Sequence, residues 1–224
     1  MASNPFLPNP QVTPSPIELA VRQAQSLLQS GRHAECLQAM EALAVQVPEN
    51  RDVLYMMAVS LRFLSRIHEA LATLDRMQLL HPNFSRLYQE RGNCYVALRD
   101  APRAIEAYLV GVNINPALPS SWAMLESLYR MTGNTENAGM AAAHVATLKR
   151  LPPEVVHATA LFSDGDLLPA ENIIRAFLLR NGDHVEAMRL LARIGIAREV
   201  YDDAEILLEG VMTLAPDYSA ARHD

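Results

Sequence analysis

The 224-residue chain has two cysteines, nine glycines and 6% aromatic residues, and it has no excess of basic charge. Cys36 and Cys94 are too few and too far apart for a disulfide framework or a CxxC metal motif, and both are expected as small buried residues. A formal charge of −6 argues against a nucleic-acid or anionic-membrane surface, because binding phosphates needs clustered Lys and Arg to displace counterions. No stretch approaches the roughly 18 consecutive apolar residues of a spanning helix. The opening residues, MASNPFLPNPQVTPSP, lack the charged start and apolar stretch of a secretory signal, which makes the cytoplasm the expected compartment.

Signatures of chemistry are missing too. No GxxxxGKS or GxxxxGKT loop, GxGxxG turn or GxSxG elbow occurs, and Asp164-Gly165-Asp166 lacks the later ligands of a calcium loop. The histidines, His33, His68, His81, His144, His157, His184 and His223, show no HExxH or i,i+4 pairing. His157 is expected on the interior stripe of its helix and the others in solvent. Glu35, Glu41, Asp164, Asp166, Asp202 and Asp203 are spread over turns and outer helix faces, so no catalytic pair is expected to converge. The reading is non-enzymatic, with no cofactor and no metal.

Half of the chain is hydrophobic, enough for a packed core. Residues 1–16 hold five prolines and read as a tail, since proline removes backbone donors and favours extended chain. From Ile17 onward apolar residues recur at helical spacing without β-branched runs, which predicts an all-α fold. Pro48, Pro82 and Pro116 recur every 34 residues, and Ala70, Ala104 and Ala138 keep the same interval. Ala170 follows after 32 residues and Ala204 after 34, a two-residue slip placed around Leu151-Pro152-Pro153. Short polar breaks at residues 30–32, 65–66, 99–100, 132–134, 164–166 and 199–200 split each period into two amphipathic stretches, as in antiparallel helix pairs. Asp100 and Asn134 suit helix caps, and Pro102 and Pro169 suit a helix's first turn.

With this period, Tyr88, Gly92, Tyr95, Ala104, Tyr108 and Pro116 carry a pattern that resembles the tetratricopeptide repeat. Five further units can be laid on it, through Leu27, Cys36 and Met40 in the first and Leu54, Met57 and Ala58 in the second. The fourth carries Trp122 and Leu125 but Glu126 in a small-residue place, the fifth Ala158 and Ile174, and the sixth Met188 and Ala192. Cysteine at 36 takes a small-residue place, and Met40, Met57, Met188 and Trp122 match core places. The resemblance implies a right-handed superhelical solenoid of six units at about 17–48, 51–82, 85–116, 119–150, 153–182 and 185–216, with 217–224 starting a seventh.

The resemblance also implies a non-catalytic scaffold that holds a protein or peptide in a concave groove lined by the first helix of each pair. Carried onto this sequence, the groove comprises Gln25, Tyr55, Val59, Arg62, Arg86, Gln89, Asn93, Ser127, Arg130, Arg189 and Arg193. Its arginines suit an acidic segment through charge-assisted hydrogen bonds, offset by Glu18, Asp52 and Glu186. A chaperone-type carboxylate clamp is not matched, because Val21, Gln25 and Met56 stand where Lys and Asn belong, leaving only Arg86. The expected assembly state is a monomer or a weak homo-oligomer through exposed terminal helices. Residues 216–224 are also similar to the repeats preceding the catalytic domain of bacterial tetratricopeptide-containing sulfotransferases. That alternative implies a larger enzyme whose sulfate-donor loop lies beyond Asp224, these residues remaining non-catalytic.

Overall fold

The computed structural model describes residues 15–217, and every regular element in it is a helix. In chain order these are α1 (Pro16–Gln29), α2 (His33–Ala44), α3 (Arg51–Phe63), α4 (Ile67–Leu80), α5 (Ser85–Ala97), α6 (Ala101–Ile114), α7 (Pro119–Met131), α8 (Thr135–Lys149), α9 (Pro153–Ser163), α10 (Leu167–Asn181), α11 (Val185–Ala197) and α12 (Tyr201–Leu214). The chain divides within α8 into two compact units, one ending at Ala143 and the other beginning at His144. Antiparallel hairpins build both: α1–α2, α3–α4 and α5–α6 in the first, α9–α10 and α11–α12 in the second.

The first helix begins inside the expected tail. Ser15 caps it, its Oγ accepting the Glu18 N–H at 3.2 Å while the Glu18 carboxylate accepts the Ser15 N–H at 2.7 Å. Pro16 then occupies the first turn, where its missing N–H has no helical partner to lose. The remainder of the expected tail, residues 1–14, and residues 218–224 of the expected seventh unit lie outside the described residues.

All six polar breaks are turns between helices, and all six use one backbone solution. A single residue at positive φ reverses the chain: Gly31, Ser65, Arg99, Gly133, Gly165 and Glu199, with φ between 58° and 82°. At each turn that residue's N–H and the next one's reach back three and five residues, as in Gly31 N to Leu28 O at 3.0 Å and Arg32 N to Leu27 O at 2.8 Å. This is the Schellman arrangement, which satisfies the last carbonyls of the first helix and aims the second antiparallel to it. Asp100 and Asn134 then cap the following helices by accepting the Arg103 and Asn137 amides, each at 3.1 Å.

Close approach within each hairpin requires small residues where the helices cross. In the second helices Cys36, Ala70, Ala104, Ala138, Ala170 and Ala204 are all at most 4% exposed. Facing positions in the first helices hold Ala24, Ala58, Gly92, Ala158 and Ala192, also buried. A Cβ on Gly92 would sit 2.7 Å from the Tyr108 ring, so that ring fills the space glycine leaves. Glu126 breaks the series and lies half-buried, its carboxylate 2.6 Å from Arg130. Around these crossings pack Leu54, Leu74, Leu87 and Met77 in the first unit and Ile174, Leu191, Ile194 and Val211 in the second. Each such side chain contributes about 1.5–3 kcal/mol on burial. Met40 and Met188 are buried in the core and Met57 packs half-exposed against it.

Between hairpins the proline loops are tied down by the aromatic residue six positions on. Tyr88 donates its hydroxyl to Pro82 O and Trp122 its indole N–H to Pro116 O, both at 2.9 Å. Trp122 thereby serves the frame of the stack.

A left-handed conformation is strained for any residue with a Cβ, by about 1–2 kcal/mol. Glu199→Gly is expected to raise unfolding stability by about 0.5–1 kcal/mol, and Gly133→Ala to lower it by about 1 kcal/mol. Urea denaturation followed by circular dichroism measures both signs.

Candidate functional site

Within each unit successive hairpins stack so that their first helices are neighbours. In the first unit α3 packs against both α1 and α5, and the Ser121 hydroxyl of α7 donates to Gln89 of α5 at 3.2 Å. This places the expected groove residues of that unit on four adjacent helices. Gln25, Ser127 and Arg130 are exposed, Tyr55, Arg62, Arg86, Gln89 and Asn93 are half-buried, and Val59 is buried. In the second unit Arg189 and Arg193 lie half-buried on α11, with the Arg193 guanidinium 4.8 Å from the Phe162 ring centre.

The arginines differ in how they are held. Arg86 lies over Phe84 at 4.9 Å and over Tyr55 at 5.8 Å, and Arg51 covers Phe84 at 4.6 Å. Tyr55 and Phe84 meet edge to face with centroids 5.5 Å apart, so the cations stand on an ordered aromatic base. Exposed Arg130 pairs with the half-buried Glu126 one turn earlier on its own helix.

Arg62 is different. Its Nε and one Nη bond to both oxygens of Glu90, a carboxylate only 3% exposed, and its guanidinium also lies 4.2 Å from the Phe63 ring. Asn93, another expected groove residue, donates to Glu90 at 3.0 Å and accepts the buried Tyr108 hydroxyl at 2.6 Å. The arginine expected to meet a partner's charge is therefore matched internally. Glu90 was not singled out by its sequence spacing, since nothing local distinguishes it from a solvent-facing helix carboxylate. The single available signal is its place two residues before Gly92, on a helix that has neighbours on two sides.

The second unit has a comparable feature. Glu171 of α10, 4% exposed, accepts from Arg175 Nε at 2.8 Å and from Arg198 in the α11–α12 turn. Beside it is a cavity of about 30 Å³, lined also by Asp203, Leu191 and Leu207, which suits one water molecule.

Histidines depart from expectation. His157 is exposed, because the inward stripe of α9 is formed by Val155, Val156 and Ala158. Several expected in solvent are structural instead. His33 stacks on Phe63 at 4.2 Å, the His81 ring bonds to Glu49 O at 2.7 Å, and His184 caps α11 and meets Phe177 edge to face. Among the described residues no group of three or more His, Cys, Asp or Glu could hold a metal ion, and no helix is long and apolar enough to cross a membrane.

A tetratricopeptide repeat family model matches residues 55–119 and 155–219, more than half of the chain. The chain belongs to the tetratricopeptide repeat family. Among solved structures it is similar to that of Pseudomonas aeruginosa pilF, at 15% identity and a TM-score of 0.54, covering 92% of this chain and 94% of that one. It is likewise similar to MamA, at 13% identity and a TM-score of 0.50, covering 85% and 92%. At such identities the likeness establishes the fold, an all-α tetratricopeptide solenoid, and nothing finer. No curated protein matches the chain in sequence. Tetratricopeptide repeats build protein-interaction scaffolds.

Burial around Glu90 has a titration consequence. The Cys94 thiol, fully buried and next to that carboxylate, is pushed up to about 12, and burial raises the Tyr108 phenol as well. Both groups hold their protons more tightly folded than unfolded. Their contribution is intact below pH 9, the unfolded thiol value, and is lost as pH rises toward 12. The urea midpoint is expected to fall over that interval, and to fall less in Cys94→Ala. An identical alkaline profile for the variant would remove Cys94 from the account.

Proposed function

We propose that this tetratricopeptide array is a non-catalytic scaffold that holds an acidic protein or peptide segment against the first-helix face of its first unit. The observation that carries the reading is Arg86, ordered over Phe84 and Tyr55 between neighbouring first helices. A guanidinium held by aromatic rings has less rotamer freedom to lose when it meets a carboxylate, and it keeps the planar fork that binds two oxygens at once. Arg130 adds a second, exposed cation on α7, oriented by Glu126 one turn earlier. Gln25 on α1, Tyr55 on α3, Gln89 on α5 and Ser127 on α7 supply the surrounding surface over the buried Val59, with Arg189 and Arg193 offering a similar surface on α11.

In this reading the chain comprises six repeat units with the boundaries expected from the 34-residue interval, and it uses no cofactor. Nucleic acid and membrane are not its partners. Its compartment is the cytoplasm, which suits two unpaired, buried cysteines. Self-association through the first or last described helix is weak at most. On α12 it would use Tyr201, Ile206 and Met212, which are 60%, 53% and 45% exposed.

A fluorescein-labelled hexaglutamate peptide serves as probe. Arg86→Ala is expected to weaken its binding about five- to tenfold and Arg130→Ala about two- to threefold, each with a shallower salt dependence. Unchanged anisotropy titrations for both variants would sink the proposal.

A further inference from the structure

We propose that Glu90 sets which part of the first-helix face reads charge: by matching Arg62 from below, it makes the surface around Arg62 and Asn93, toward the C-terminal ends of α3 and α5, read uncharged hydrogen-bonding groups. The inference rests on the acidic-segment reading above and names a residue that the reading does not use.

Glu90 belongs to a chain of contacts anchored in the core. The Tyr108 hydroxyl, on a fully buried ring, donates to Asn93, Asn93 donates to Glu90, and Glu90 accepts from Arg62 Nε and Nη2. Only Asn93 and Arg62 reach the surface, the Arg62 side chain being 20% exposed. Arg62 Nη1 stays outside this network, able to donate to a neutral carbonyl. A ligand carboxylate approaching here meets a cation whose field is already cancelled by a charge it cannot displace. Drawing Arg62 away would strand the Glu90 carboxylate in the core without a counter-charge, which is far more costly than parting an exposed pair.

Elsewhere on the face Arg86, near the start of α5, lies over Phe84 and Tyr55, and exposed Arg130 on α7 pairs with the half-buried Glu126 of its own helix. Gln89 and Asn93 follow Arg86 along α5, and the matched Arg62 stands near the end of α3, a polar floor without net charge. The partner this arrangement fits is an extended segment whose carboxylates adjoin, on one side, an uncharged stretch presenting main-chain amides or Asn and Gln side chains.

The test is Glu90→Gln in the full chain, with hexaglutamate as probe and thermal melting as the check of folding. Gln keeps an acceptor for Arg62 and removes the cancelling charge. Hexaglutamate should then bind about tenfold more tightly, with a steeper salt dependence, and Arg62→Gln added to Glu90→Gln should abolish the gain. No gain in folded Glu90→Gln, or a gain that survives the double substitution, overturns the proposal. Should Glu90→Gln fail to fold, the parent chain decides by NMR. On saturation with hexaglutamate the Arg62 Nε–H resonance should stay in place while that of Arg130 moves, and movement of the Arg62 signal overturns the proposal. Hexaglutamate binding that ignores Arg86→Ala and Arg130→Ala removes the acidic-segment reading instead, and binding that depends on those arginines without the Glu90 effect removes only this inference.

Discussion

Two helices can approach closely only where neither carries a bulky side chain, and the rest of this molecule depends on that crossing, kept on both sides in five of the pairs and broken on one side by Glu126 in α7. Cys36, Ala70, Ala104, Ala138, Ala170 and Ala204 supply one side of it, and Ala24, Ala58, Gly92, Ala158 and Ala192 the other. The crossing fixes the distance within a hairpin, and the hairpin in turn leaves apolar faces that only its neighbours can cover. Within each unit first helices thus come to lie beside first helices, and a row of their side chains forms one face.

The left-handed turn residue enforces the same geometry from the other end. With Schellman hydrogen bonds in all six turns, each second helix starts in the same direction relative to the first, whichever residue stands there. Three turns use glycine and three bear the strain of a Ser, Arg or Glu. That strain is tolerated because neighbouring crossings over-determine the turn.

Charge is arranged in two ways. Exposed pairs such as Arg66–Glu69 and Arg103–Asp100 join residues three apart on one helix end, and they contribute little. The buried carboxylates Glu90 and Glu171 instead reach across to guanidiniums 28 and 27 residues away, joining one hairpin to the next. Their value lies in register: an ion pair in the interior tolerates no slip, because a slip leaves a charge without a partner. The acidic overall balance of the chain therefore says little about the face itself, where each arginine has its own local setting.

The amino-acid sequence alone determined the helical class, the 34-residue period, the position of all six turns and the small residues at the crossings. These follow from side-chain size, amphipathic spacing and capping chemistry, which act over a few neighbouring residues and can be read along the chain. It also determined the family. What only the tertiary structure decided is which polar residues are engaged inside the fold. Arg62 looked like a groove cation and is matched by Glu90, His33 and His184 looked solvated and are packed, and His157 looked inward and faces out. Each outcome depends on a contact between segments distant in sequence or on a rotation of the helix by a fraction of a turn, and neither quantity is carried by local pattern. Ser65, Arg99 and Glu199 in left-handed turns belong to the same class, since their own preference is overruled by the helices they join.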